Sequence, residues 1–332
     1  MNNYIKQFPE LCKGKKILYV HGFGSSGQSG SVTRIREVFP NATVIAPDLP
    51  VHPQEAMSLL NKVCATEHPD LIIGTSMGGM YAEQLRGFDR ICVNPALEIA
   101  ETMKAHGMTG TQQFQNPRCD GVQEFYVDKA LIREYREVSE RRFEGLDEED
   151  RRRVYGLFGD EDTLVNTYDM FAAHYPQAIR FHGEHRMNDH SFMYSVVPVI
   201  RWMDDRQERR ERPVVYIGTE TLWQTDGRVR PSMQKSVRQL IESYQVYFVA
   251  PATASADAYS TVLSRMNDDI NVPAWGHTVF TNQRHLLYGD YLIAIPPQGD
   301  TEGTMATLIE FGSDTFKTWD DIADYFTLLG GQ

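Results

Sequence analysis

No run of about 18 apolar residues occurs in the sequence, which argues against a membrane-spanning helix. The start, Met1-Asn2-Asn3-Tyr4-Ile5-Lys6-Gln7-Phe8, lacks the apolar core of a secretory signal. Cysteine is scarce. Cys12, Cys64, Cys92 and Cys119 all precede residue 120 without metal-ligand spacing, so neither a disulfide frame nor a metal site is expected. Positive charge is also in deficit: the formal net charge of -12 argues against non-specific nucleic-acid binding. There is no internal repeat and no extended low-complexity segment. The expectation is a reduced cytoplasmic protein with no cofactor, no metal, no nucleic-acid partner and no membrane contact.

What is present is a chain of 332 residues with ordinary hydrophobic content, long enough for two domains. In the first 200 or so residues, apolar runs alternate with helical patterns: Lys16-Ile17-Leu18-Tyr19-Val20, Thr43-Val44-Ile45, Leu71-Ile72-Ile73-Gly74, Arg90-Ile91-Cys92-Val93, Val154-Tyr155-Gly156-Leu157-Phe158 and Ala178-Ile179-Arg180-Phe181. Strands alternating with helices predict an α/β fold with a mostly parallel sheet. The rhythm breaks at about 97–152, a stretch rich in charged helix formers with an irregular 107–121 segment, read as a helical lid. A charged run from Asp204 to Pro213 marks a junction, giving domains 1–207 and 208–332. The second begins a new α/β pattern at Val214-Val215-Tyr216-Ile217.

One segment carries chemistry. Leu71-Ile72-Ile73-Gly74-Thr75-Ser76-Met77-Gly78-Gly79 is an apolar run ending in Gly-x-Ser-x-Gly and passing at once into a helical pattern. Gly74 and Gly78 let strand and helix approach around a strained turn that presents Ser76 as a nucleophile. The Met77 amide then stands at a helix N-terminus, where it can hold an oxyanion. The loop His21-Gly22-Phe23-Gly24-Ser25-Ser26 offers the Phe23 amide as a second oxyanion donor, and as a nucleotide loop it fails Gly-x-Gly-x-x-Gly. Gly159-Asp160-Glu161-Asp162-Thr163-Leu164-Val165 supplies the orienting acid, with Asp162 preferred and Asp160 and Glu161 as competitors. Phe181-His182-Gly183-Glu184-His185-Arg186 supplies the base, with His185 preferred over His182 and over the later His190. The chain order Ser76, Asp162, His185 is that of an α/β-hydrolase.

On these segments and Asn94-Pro95-Ala96-Leu97, the first 203 residues resemble the small bacterial YqiA-like esterases of the α/β-hydrolase fold. Gly183-Glu184-His185 replaces the more usual double-glycine approach to the histidine. The resemblance implies a serine esterase or thioesterase acting on a small acyl ester or thioester through an acyl-serine intermediate.

The remainder resembles the deoxy-5'-nucleotidase branch of the haloacid dehalogenase superfamily. The carrying stretches are Val214-Val215-Tyr216-Ile217-Gly218-Thr219-Glu220-Thr221-Leu222, Tyr247-Phe248-Val249-Ala250, Gly289-Asp290-Tyr291-Leu292-Ile293 and Phe311-Gly312-Ser313, with Trp319 and Tyr325 downstream. Gly218-Thr219-Glu220-Thr221 stands where that family has its Asp-x-Asp-Gly-Thr nucleophile loop. Ala250 or Pro251 stands at the phosphate-binding Thr or Ser, Arg284 roughly at the lysine, and Ala294-Ile295 at the metal-binding aspartates. The implied domain is a pseudo-phosphatase that supports the fold, dimerises the chain, regulates it or binds a nucleotide-like ligand. The competing expectation is a non-catalytic binding protein built from two degenerate hydrolase folds.

Overall fold

The computed structural model describes residues 5–270, 276–295 and 305–330, so residues 1–4 of the N-terminal stretch lie outside the described residues. Two compact units are present, Met1–Asp204 and Asp205–Gln332. Among the described residues no helix is long and apolar enough to cross a membrane.

In the first unit, strands β1 (Lys16–Val20), β2 (Thr43–Ile45), β3 (Leu71–Thr75) and β4 (Arg90–Val93) precede a ribbon, β5 (Gly110–Gln113) and β6 (Glu124–Val127). Strands β7 (Val154–Gly159) and β8 (Ala178–Phe181) follow. Six of them form a sheet in the order β2-β1-β3-β4-β7-β8. Every pairing in that sheet is parallel. A parallel sheet needs crossover helices and is covered on both faces, which explains why its strands read as unbroken apolar runs. Ile17, Leu18, Tyr19 and Val20 are accordingly 2% exposed or less. The chain leaves β1 to one side for β2 and returns to the other for β3, so a crevice opens beyond their carboxyl ends, where α/β sheets bind ligands.

The 97–152 insertion departs from the expected helical lid. It holds the helices Ile99–Ala105, Lys129–Ser139 and Glu148–Arg151, together with an antiparallel ribbon whose first strand, β5, lies in the segment read as irregular and whose second, β6, lies just beyond it. Four-residue strands joined by a long connection carry neither a tight-turn signal nor a helical period, which hid them in the sequence. The helix Lys129–Ser139 has one buried face, with Leu131, Ile132, Tyr135 and Val138, and its N-cap Asp128 accepts from the Leu131 amide at 2.8 Å. The ribbon connection is tied to the loop after β1: Gln115 N donates to Gly24 O (2.8 Å), Ser26 Oγ to Pro117 O (2.6 Å) and Asn116 Nδ2 to Ser25 Oγ (3.1 Å).

The units divide between Asp204 and Asp205, inside the helix Val197–Glu208, where the charged run suggested a junction near 208. Arg, Gln and Glu are good helix formers, so the first half of the run extends the helix. It ends at Arg209, whose φ of 50° is left-handed. The second unit has β9 (Val214–Gly218), β10 (Gln245–Ala250), β11 (Thr278–Phe280), β12 (Tyr291–Ala294) and β13 (Thr307–Glu310) in an all-parallel sheet ordered β11-β10-β9-β12-β13. Its core includes Val215, Ile217, Phe248, Ile293 and the fully buried Trp319, whose Nε1 donates to Thr221 O at 2.9 Å.

A buried ionic network fastens the insertion to the first sheet. Arg90 and Glu83 are wholly buried, and Asp150 is 7% exposed. Asp150 Oδ2 lies 2.5 Å from Arg90 Nη2 and 3.3 Å from Arg86 Nη1, while its Oδ1 accepts from the Gly87 amide at 3.0 Å. Glu83 bonds Arg86 and the hydroxyl of Tyr175. Burial pushes the Asp150 carboxyl up, but Arg90, the Gly87 amide and Arg86 outweigh it and hold it below its ordinary value. Replacing Asp150 by Asn leaves Arg90 buried without its counter-charge, and urea titration is expected to read a loss of about 3 kcal/mol. A depressed folded pKa contributes stability above the unfolded value of about 3.9 and loses it as pH falls through the folded value. The wild type is therefore expected to weaken on acidification below about pH 4, with a shallower slope in Asp150→Asn; equal slopes would overturn the assignment.

Candidate active site

Strand β3 ends in a turn that only glycine permits on either side. A Cβ at Gly74 would stand 2.2 Å from Gly78 O, and one at Gly78 would stand 2.0 Å from Val20 O. Between them Ser76 takes φ 56° and ψ -121°, a conformation that an L-residue keeps only when its surroundings over-determine it. They do. The Ser76 amide donates to Val93 O (2.9 Å), and the Ser76 carbonyl accepts from Gly79 N (2.9 Å), Ala96 N (3.0 Å) and Met80 N (3.2 Å).

The loops after β7 and β8 bring the other partners to this turn. His185 Nε2 lies 2.9 Å from Ser76 Oγ, and His185 Nδ1 lies 2.7 Å from Asp162 Oδ2. The second oxygen of Asp162 accepts from Leu164 N (2.8 Å) and Val165 N (3.0 Å). Burial would raise the Asp162 carboxyl, but the His185 hydrogen bond and the two amides hold it below its ordinary value. An ionised carboxylate only accepts, so Nδ1 of His185 carries a proton, and in the neutral ring that leaves Nε2 as the acceptor facing the serine.

The competing residues lie in other settings. Asp160 Oδ1 accepts from Gly183 N at 3.0 Å, and its Oδ2 lies 3.3 Å from His182 Nδ1. Glu161 stands 3.9 Å from His182 Nε2. His190 packs edge-on against Tyr194, ring centroids 4.6 Å apart. Asp160 thus braces the turn that carries His185.

The loop after β1 lies against Ser76: a Cβ at Gly22 would be 3.3 Å from Ser76 Cβ and 3.4 Å from Thr75 O. Among the described residues the amides of Phe23 and Met77 donate to no protein acceptor. His21 anchors this loop. Leu49 N donates to its Nε2 at 3.0 Å, which leaves Nδ1 as the donor to Gly22 O at 2.9 Å. Burial lowers the His21 pKa and keeps it neutral in that tautomer. A cavity of about 510 Å³ opens at the site, its lining including Phe23, Ser76, Ile99, Met108, Leu164 and His185.

Asn94 escaped the sequence reading as a site residue. At the end of β4, with φ 44°, its Nδ2 donates to the carbonyls of Glu184 and His185 (3.1 Å each), and its Oδ1 accepts from Gly159 N at 2.7 Å. It ties the histidine loop to the strand before the acid loop. The available signal was an asparagine at a strand end before proline, a residue that tolerates the left-handed region.

In the second unit, the Glu220 carboxylate is clamped in a bidentate pair by Arg284, Oε1 to Nη1 at 2.8 Å and Oε2 to Nη2 at 2.7 Å. It also accepts from Ile295 N at 3.3 Å, and it fills the space where a Cβ on Gly218 would stand. Among the described residues no group of three or more His, Cys, Asp or Glu is placed to hold a metal ion.

Residues 16–195 match the uncharacterised protein family UPF0227. Among solved structures the chain is similar to the thioesterase domain from the curacin biosynthetic pathway, with 16% identity over 60% of this chain and 92% of that one and a TM-score of 0.34. It is similar to Est1E from Butyrivibrio proteoclasticus, with 16% identity over 60% and 89% and a TM-score of 0.38. It is also similar to the N-acyl homoserine lactonase AidH, with 13% identity over 58% and 90% and a TM-score of 0.36. Likenesses at this level carry nothing about chemistry, which rests on the chain's own side chains.

The two glycines near Ser76 are expected to respond differently to alanine. Gly78→Ala drives a methyl into backbone at Val20 and is expected to cost about 3 kcal/mol or more. Gly22→Ala meets only tight contacts and is expected to cost about 1 kcal/mol. Denaturant titration of both variants checks the order, and equal losses would contradict the close approach at Gly78.

Proposed function

The chain belongs to the uncharacterised family UPF0227, and from its own site we propose that it is a serine hydrolase that cleaves small carboxylic esters or thioesters in the cytoplasm. The observation that carries the reading is the unbroken relay from Ser76 Oγ through His185 to Asp162, beside two amides free to receive an oxyanion. In this reading His185 Nε2 takes the serine proton as Oγ attacks the acyl carbonyl. Asp162 fixes the tautomer and stabilises the imidazolium. The amides of Phe23 and Met77 hold the tetrahedral oxyanion. His185 returns the proton to the leaving alcohol or thiol, then activates water to release the acid and regenerate Ser76.

The second unit fits a degenerate haloacid-dehalogenase-like domain, a pseudo-phosphatase in a supporting or regulatory role. Its parallel sheet with β9 at the centre supports this, as does the pairing of its one nucleophile-loop carboxylate with Arg284. A carboxylate held in a bidentate ion pair is spoken for, and phosphoryl transfer would need carboxylates free for both nucleophile and Mg²⁺.

Hydrolysis of a p-nitrophenyl acyl series, C2 to C16, is expected from the wild type and is expected to fall by on the order of 10⁴ or more in Ser76→Ala. Fluorophosphonate is expected to label the wild type at Ser76. A folded wild type that neither turns over nor labels would overturn the proposal. Asn94→Ala loosens the histidine loop without touching substrate, and is expected to lower kcat about tenfold to a hundredfold. A kcat equal to the wild type would remove Asn94 from the positioning of His185.

A further inference from the structure

The cavity beside Ser76 is lined by two unlike sets of residues. Phe23, Ile99, Met108 and Leu164 are apolar, whereas Ser29, Gly30, Ser31 and Arg34 come from the start of the helix Gly30–Val38. Arg186, next to His185, adds a second guanidinium to the lining, and Tyr19 and Thr75 add a hydrogen-bonded pair of hydroxyls, 2.8 Å apart. Among the described residues no Asp or Glu lines the cavity, in a chain that has 45 of them.

The start of this helix carries no acid of its own, and the loop before it is held by Asp48, whose carboxylate accepts from the Gly27 amide at 2.8 Å. Its N-cap Ser29 makes no side-chain bond to the helix, and the first turn holds no acid. Val32 and Thr33 donate to Ser29 O, while among the described residues the amides of Gly30 and Ser31 donate to no protein acceptor. No atom lies within 4 Å of where a Gly30 Cβ would stand, so that turn faces open space. Ser29 is 6% exposed, and its Oγ makes no hydrogen bond of normal geometry, although Ser29 and Ser31 both face the Tyr19 hydroxyl. Arg34 is engaged in part by Asp189, at 2.6 Å, and by Met187 O, at 3.3 Å. Arg186 donates to Gln115 Oε1 at 2.9 Å.

A helix N-terminus, a buried hydroxyl without a hydrogen bond of normal geometry and two guanidiniums in one cavity are the parts of an oxyanion site. We propose that this lining holds a carboxylate or phosphate of the substrate, so that the preferred esters or thioesters carry a negative charge on the acyl or the leaving side. The inference rests on the hydrolase reading of Ser76 for its chemistry, and on the cavity alone for its charge preference.

Two matched ester pairs test it. Mono-4-nitrophenyl adipate against its methyl ester places the charge on the acyl side, and 4-acetoxybenzoate against methyl 4-acetoxybenzoate places it on the leaving side. The charged member of at least one pair is expected to have the higher kcat/KM, and the side on which it does locates the charge. Arg186→Gln is expected to lower that ratio about tenfold. Ser31→Asp puts an acid in the first helical turn, which stabilises the helix while occupying the anion's place. It is expected to abolish the preference with Tm unchanged or raised. Ser76-dependent hydrolysis with neutral esters equal or better in both pairs would overturn the inference and leave the proposed function standing. Calorimetric titration of Ser76→Ala with the same pairs reads the preference without turnover. Tighter binding of a charged member there, with no turnover by wild type, would keep the anion site and sink the hydrolase reading. Equal binding in both pairs would overturn the anion site.

Discussion

The site depends on one steric constraint, the approach of the turn at Ser76 to the end of β1. With a Cβ on Gly78 standing 2.0 Å from Val20 O, the helix that follows Ser76 can sit on the sheet only because that Cβ is missing. The same closeness puts Gly22 against Ser76, so two loops distant in sequence share one corner of the crevice. Four backbone hydrogen bonds hold Ser76 in its unfavourable conformation. Their partners are Val93 of β4, Ala96 just beyond it, and Gly79 and Met80 of the helix that follows, so the hydroxyl position is fixed by β4 and that helix together.

Around that corner the polar groups act as braces. Asn94 and Asp160 hold the histidine loop, the neutral His21 holds the loop after β1, and the network of Glu83, Arg86, Arg90 and Asp150 fastens the insertion. Buried charges of this kind add little net stability but are costly to break. Their effect is to fix which loop stands where, which the proposed general-base chemistry would require to within a fraction of an ångström.

What the sequence disclosed follows the range of the forces involved. Ser76 was legible because the elbow is local in sequence: its glycines are two residues away on either side, although the clash that excludes a side chain at Gly78 comes from β1. The parallel sheets were legible because strands buried on both faces have no polar alternation to obscure them. Choosing Asp162 over Asp160, or His185 over His190, concerns residues two to five positions apart whose partners come from other loops, so pattern alone could only rank them. Asn94 was missed as a site residue because its partners lie about 90 positions ahead. The ribbon β5–β6 was missed for want of a turn signal, and its value lies in contacts with the loop after β1. The helix start at Ser29 reads in sequence as an ordinary Gly/Ser loop; only the fold shows that it lines a cavity with no Asp or Glu among its described lining residues.

The Phe23 ring stands between Phe125 of the ribbon and Tyr135 of the helix Lys129–Ser139, centroids 5.2 and 6.1 Å away, while its amide faces no protein acceptor. The ribbon and that helix therefore bear on the side chain of the same residue whose backbone is proposed to receive the oxyanion, so substitutions at Phe125 or Tyr135 reach the corner at Ser76 through one aromatic ring.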